Sequence, residues 1–285
     1  IPCRYSALLP PPELAPTTET RTSANFVTHF VIGMFLFSQF AYRLAFGMAA
    51  AMLVVSPRLV TSGYFRNNSY VLLGLMAAAA AVTFGNSVDV DRLPTWPAAA
   101  AAAAGYVAAA LWLYEKPRAA RAALAVVSFC ALGGVLTTVR TADRPPSAVW
   151  LGYGDAVAGG LLLGLTMAAM LLGHWYLNAP GMKIRPLQQL ALLIAAAVVM
   201  RSIVSGVGLA AEWSVSFREP AERLMLALRW LAGVFGTGLL IGMTWTTLKI
   251  PNTQAATGML YVAVITTFLG ELVGQLLSVG SVYPL

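Results

Sequence analysis

The pattern of apolar and polar positions divides this chain into eight long hydrophobic stretches separated by proline-containing breaks. The stretches run at about 26–55, 69–85, 98–114, 119–139, 155–177, 187–210, 222–248 and 256–279. Between them stand Ser56-Pro57, Pro94 with Pro97, Pro117, Pro145-Pro146, Pro180, Pro220 and Pro251. Each is a point where a helix is expected to stop or restart, because proline lacks the amide donor and disfavours a helical residue before it. A helix needs roughly 20 apolar residues to cross a bilayer. The pattern therefore predicts an all-α, polytopic transmembrane bundle of about eight spans. The first span is long enough to tilt or project beyond the bilayer. The second and third are short and alanine-rich. Ahead of the spans lies an arm, residues 1–25, rich in Pro, Thr and Glu, in which Pro10, Pro11 and Pro12 favour an extended, solvated backbone. The expected organisation is thus an extramembrane arm (1–25) followed by a helical bundle (26–285).

Composition supports lipid as the solvent. Of 285 residues, 59% are hydrophobic and 10% charged, against about 25% charged in soluble domains. The net charge of +7 does not point to nucleic acid, since the basic residues cluster in short loops between spans, where they act as topology signals. The loops after odd-numbered spans carry Arg58, Arg66, Lys116, Arg118, Arg121, Lys183, Arg185 and Lys249 with a single acid, Glu115. The opposite side carries seven arginines but nine acids, Asp155 and Glu212 among them. The acid-poor loops are assigned to the cytoplasm, which places both termini in the periplasm. Alanine runs such as Ala98–Ala104 have the character of a GC-rich bacterial genome, so the expected site is a bacterial inner membrane.

Several chemistries are disfavoured. Cys3 and Cys130 have no CxxC partner, so neither a disulfide framework nor a zinc or iron–sulfur site is implied. The two histidines, His29 and His174, fall at opposite ends of their spans. A hydrocarbon core about 30 Å thick keeps them from sharing one haem. The three lysines, Lys116, Lys183 and Lys249, sit at span ends or in loops, which removes a buried Schiff base. No phosphate-binding loop or dinucleotide fingerprint is present. No haem, iron–sulfur cluster or metal is expected, and no residue is assigned as catalytic.

Charges inside spans are costly and are functional candidates by default. Four stand out: Arg43, Arg201, Arg229 and Glu271. At 1.5 Å per residue, Glu271, Arg201 and Arg229 all fall roughly 10–13 Å from the terminal-side ends of their spans, while Arg43 falls nearer the midplane. In the last span Thr267, Glu271, Gln275 and Ser278 recur along one helix face. Gly270 and Gly274 form a GxxxG beside that stripe, which lets another helix approach closely. Arg201 shares a face with Ser205. Two readings stand together: Glu271 pairs with Arg201 or Arg229 to neutralise buried charge, or the group lines a polar pocket where a carboxylate exchanges protons while Arg, Gln or Ser binds a quinone carbonyl. His174, within Gly173-His174-Trp175-Tyr176-Leu177-Asn178, is first an interfacial residue of an aromatic belt, and with Arg43 a secondary candidate. The GxxxG pairs Gly160/Gly164 and Gly238/Gly242 are expected to pack helices. Asn252, with Thr253, Gln254 and Thr257, is expected to cap the last span.

From the fifth span onward the chain resembles the membrane-anchor subunits of the DMSO-reductase and polysulfide-reductase type. The resemblance lies in a Gly/Leu-rich span (Gly159-Gly160-Leu161-Leu162-Leu163-Gly164), a later span with Leu228-Arg229-Trp230, and a last span with Gly270-Glu271-Leu272-Val273-Gly274. It covers under half the chain. The proline-rich arm and the Gly173–Asn178 segment depart from it. The resemblance implies a haem-free, eight-span subunit that binds menaquinone or ubiquinone near the periplasmic face and passes electrons to an iron–sulfur partner, with Glu271 and Arg229 as site residues. The expected function is therefore that of a quinone-interacting subunit of a respiratory complex, with the bilayer and redox-active subunits as partners. A structural or assembly subunit and a small-solute transporter are the alternatives. No internal repeat is visible, which weighs against an inverted-repeat transporter.

Overall fold

The computed structural model describes residues 18–85, 95–142, 144–179, 181–213, 219–250 and 252–285, with side chains from Phe30 onward. The described residues are almost entirely helical and include no strand. The helices are α1 (Thr18–Val54), α2 (Ser62–Gly85), α3 (Trp96–Leu113), α4 (Pro117–Thr137), α5 (Pro146–Asn178) and α6 (Arg185–Glu212). The seventh span is composite: α7 (Pro220–Leu228), a π-helical segment (Arg229–Gly236) and α8 (Thr237–Lys249). The last span is α9 (Thr253–Gly280). Eight of these spans are long and apolar enough to cross a membrane, as the hydropathy pattern predicts. This is a multi-pass, all-α membrane protein. Residues 1–17 of the expected arm lie outside the described residues, and 18–25 belong to α1.

Several boundaries differ from expectation, each for a local reason. Prolines occupy the first turns of α3, α4, α5, α6 and α7, where the missing amide costs nothing and the fixed φ suits a helix. Helix α5 accordingly starts at Pro146, nine residues before the expected Asp155. Helix α2 starts at Ser62, so Arg66, expected in a loop, is helical. Further along that helix Ser69 is fully buried, its hydroxyl donating to the Phe65 carbonyl at 2.8 Å. Asn252 caps α9 as expected, its side-chain oxygen accepting from the Ala255 amide at 3.0 Å.

Helix α5 is the axis of the bundle: 78% of its apolar window is buried inside the protein, against 28–44% for the other spans. Helices α1, α6 and α9 pack directly on it. Against α1 the approach is backbone to backbone. A Cβ on Gly47 would overlap the Gly160 carbonyl, and one on Gly164 would overlap the Gly47 backbone. This GxxxG behaves as predicted. The second pair does not: Gly242 faces open space, and Gly238 meets only a Val198 methyl, at 3.6 Å from an added Cβ. The motif permits close packing only where a partner helix is placed to use it, and here none is.

Loop contacts show the alternation of the spans. On one side, Arg121 donates to the Leu53 carbonyl at 2.9 Å, Trp175 to Thr61 at 2.7 Å, and Gln188 to the Leu248 carbonyl at 3.3 Å. On the other, Arg140 donates to the Val279 carbonyl at 3.0 Å and Arg144 to that of Ser281 at 2.8 Å. Glu212, expected in a loop, ends α6 and is buried. Its carboxylate accepts from the Tyr283 amide at 3.0 Å and the Val282 amide at 3.4 Å. The segment 281–285 is thereby folded back over this end of the bundle, and Leu285 is buried against Val273 and Leu277.

Candidate functional site: a buried arginine–carboxylate cluster

Five ionisable side chains from five helical segments meet within the bundle. They are Arg43 (α1), Asp155 (α5), Arg201 (α6), Arg229 (the π-helical segment) and Glu271 (α9), none more than 4% exposed. Asp155 lies nine residues into α5, about 13 Å from its start. Its carboxylate is shared by three guanidiniums: Arg43 Nη2 at 3.1 Å on Oδ2, with Arg201 Nη1 and Arg229 Nη2 (3.7 Å) both on Oδ1. Glu271 takes a fork from Arg201, Nε at 2.5 Å and Nη2 at 3.1 Å, and a third contact from Arg43 Nη1 at 3.3 Å. Arg229 donates to Ser205 Oγ at 2.8 Å. A buried charge is tolerated only when paired and hydrogen-bonded, and this arrangement meets that requirement for both carboxylates.

It does not meet it fully for the cations. Three arginines face two carboxylates, leaving one positive charge in excess when all five are ionised. Arg43 Nε, Arg229 Nε and Nη1, and both amide atoms of Gln275 are buried without a hydrogen-bond partner among the described residues. Gln275, one turn beyond Glu271 on the same face, is 3% exposed. The cluster therefore combines paired carboxylates with unused guanidinium donors and an unpaired amide. A cavity of about 10 Å³ adjoins it, bounded by Arg201, Arg229, Gly233, Val234, Gly270 and Glu271. That is about the space of one water.

Glycines make the room. A Cβ on Gly159 would stand 3.1 Å from Glu271 Cδ and 3.0 Å from Arg43 Nη1. Gly274 lies under the Arg229 guanidinium, whose Cζ would be 2.6 Å from an added Cβ. Gly270 and Gly233 bring α9 and the π-helical segment together, an added Cβ on Gly233 falling 2.7 Å from Gly270 Cα. The last GxxxG thus splits its work: Gly270 admits backbone and Gly274 admits charge. The π-helix itself is a wider, less common turn, frequent at functional sites. Here it begins at Arg229 and is followed by Thr237, whose hydroxyl lies 3.0 Å from that of Thr266 and 3.2 Å from that of Thr267.

The primary sequence candidates Glu271, Gln275, Arg201, Arg229 and Ser205 are gathered in one place. Of the two partners expected for Glu271, Arg201 pairs with it and Arg229 does not; Arg43 takes the second place, and the only acid within ion-pair distance of Arg229 among the described residues is Asp155. Arg43, expected at a different depth, joins the same cluster. The reason is that α1 starts at Thr18 and ends at Val54 while the parallel α5 runs further, so depth measured along one helix does not transfer to the other. His174 is not part of the cluster. It sits near the far end of α5, about 28 Å along the helix from Asp155, with Nδ1 3.1 Å from the Tyr261 hydroxyl. The side chain of His29 lies outside the described residues.

Asp155 is the residue that sequence reasoning missed, because its charge was taken as the edge of a span. A signal was present: Pro145-Pro146 is a strong helix start, and residues 147–154 contain no charge. Starting the span at Pro146 places Asp155 at the depth of the other buried charges. No protein-family model, no curated protein and no solved structure matches the chain.

Proposed function

We propose that this chain is a quinone-facing membrane subunit of an electron-transfer complex, with the arginine–carboxylate cluster as the seat of the quinone head group. The observation that carries the reading is the set of unused donors. Among the described residues, Arg229 Nε and Nη1 and Arg43 Nε are buried without partners, beside carboxylates already supplied by other guanidinium nitrogens. Donors of this kind favour an acceptor such as a quinone carbonyl, because an unpaired buried donor is costly. Gln275 would bind the same ring oxygen or its hydroxyl, and Glu271 would exchange the proton that accompanies reduction. Electrons would come from, or go to, a redox-active partner subunit, in a bacterial inner membrane whose periplasmic side holds the termini.

The test is gentle purification from the native membrane, followed by lipid extraction and an optical redox spectrum. Stoichiometric quinone and redox-active partner subunits are expected, and Glu271→Gln is expected to lower quinol-linked turnover at least tenfold with assembly intact. A preparation without quinone, or full turnover in Glu271→Gln, overturns the reading.

A second reading, a structural or assembly subunit in which the cluster only ties helices together, is favoured by one observation. The five groups are almost wholly enclosed and the adjoining space is about 10 Å³, so a head group would enter only by local opening. In that case Glu271→Gln lowers the amount of assembled protein and leaves the turnover of what remains unchanged.

A further inference from the structure

Helices α1 and α6 both pack on α5 without packing closely on each other. The space left between them is an apolar groove of about 240 Å³, open on one side to the lipid. Leu161 and Leu165 of α5 form its floor, Ala50 and Val54 of α1 one wall, and Leu193 and Ala197 of α6 the other.

The groove and the cavity beside the charged cluster share no lining residue, but helix periodicity aligns them along the same helix faces. On α6, Leu193, Ala197 and Arg201 follow at intervals of four residues and share one face. On α1, Arg43, Ala50 and Val54 are seven and four residues apart and likewise share a face. Both walls therefore end in an arginine, and both arginines reach Asp155 and Glu271. The groove lies on the side of the cluster where α1 ends and α6 begins, its wall residues standing roughly 6–16 Å along the helices from Arg43 and Arg201 at 1.5 Å per residue.

This geometry distinguishes two kinds of hydrocarbon. A bilayer phospholipid keeps its head group at the membrane surface and brings only acyl chain to this depth. A ligand whose polar head sits at the cluster needs an apolar track that begins there. We propose that the groove seats the isoprenoid tail of the quinone whose head group occupies the cluster. The proposal rests on the reading given under Proposed function and adds the direction from which the ligand enters and the part of it that sets affinity. The small side chains of Ala50 and Ala197 give the track its depth, and larger ones would close it.

The experiment compares binding of a long-tailed isoprenoid quinone and of the same ring without a tail to the purified full chain in lipid nanodiscs. Ala50→Phe and Ala197→Phe fill the groove. Val199→Phe, at a position 59% exposed on α6, places the same aromatic ring outside it. Both groove variants are expected to weaken the long-tailed quinone at least tenfold, to leave the tail-less ring unchanged, and to differ from Val199→Phe, which binds both as the native chain does. Equal affinity for the tailed quinone in native and filled proteins overturns the tail assignment but not the head-group site, which stands on binding of the tail-less ring. Failure of the native chain to bind either quinone overturns both. A long-tailed quinone carrying a photoreactive group along its tail gives an answer in the native protein, independent of any variant. Labelling of the α1 segment 50–54 and the α6 segment 193–197 is expected, and labelling confined to α7 and α8 overturns the assignment.

Discussion

Helices α1 and α5 meet in two ways within two turns of each other. At Gly47, Gly160 and Gly164 the backbones touch. One turn earlier on each, Arg43 faces Asp155, and the missing Cβ of Gly159 leaves space that Glu271 and Arg43 fill. Glycine serves both places, to opposite effect. In the seam it removes atoms so that two helices can gain dispersion contact and close approach. In the cluster it removes atoms so that charges from other helices can enter. The seam is an agreement between two helices and rests on shape. The cluster is an agreement among five segments and rests on pairing, so no part of it is stable alone.

That contrast can be broken most directly at Asp155. Asp155→Ala removes the carboxylate shared by three arginines, leaving Arg229 without an acid in ion-pair distance among the described residues and Arg43 and Arg201 to share Glu271, a loss of about 3–5 kcal/mol. Unfolding in mixed micelles measures it, and a loss below about 1 kcal/mol would show that the charges are solvated from outside and not mutually dependent. Next in size is the seam. Gly164→Leu forces α1 off α5 and is expected to cost about 1–3 kcal/mol or more, whereas Gly242→Leu, in the same sequence motif but facing open space, is expected to be nearly neutral. Equal effects at the two positions would deny that close approach, and not the motif, is what matters. The smallest effect belongs to a purely local interaction. Asn252→Ala removes the cap on α9 and is expected to lower stability by about 1 kcal/mol, with no change in quinone binding. A change in binding would tie the end of α9 to the cluster.

The fold was readable because lipid imposes a simple rule. Backbone groups in a bilayer must be satisfied within the segment, so a long apolar run is a helix, and proline marks where one begins. Where the reading missed, tertiary pairing had cancelled a local signal. Asp155 looked like a span boundary because an isolated carboxylate would be one; three arginines from elsewhere in the chain make it an interior residue. Arg43 was placed at another depth because helix ends are not level with one another. The π-helical segment at Arg229–Gly236 left no mark in the hydropathy pattern. Gly160/Gly164 and Gly238/Gly242 read alike and differ only in what stands opposite.

By itself, then, the order of residues determined the solvent, the number of spans, most of their starts, the cap on α9 and the polar face carrying Glu271 and Gln275. Each of these depends on interactions within a few residues or with lipid, and such interactions are written locally. Only the tertiary structure decided which charges meet, which glycines touch, where a turn widens into a π-helix, and which apolar faces line the groove between α1 and α6. Those depend on side chains separated by as many as 228 residues, whose encounter is set by how whole helices pack and by the cost of leaving any buried charge alone.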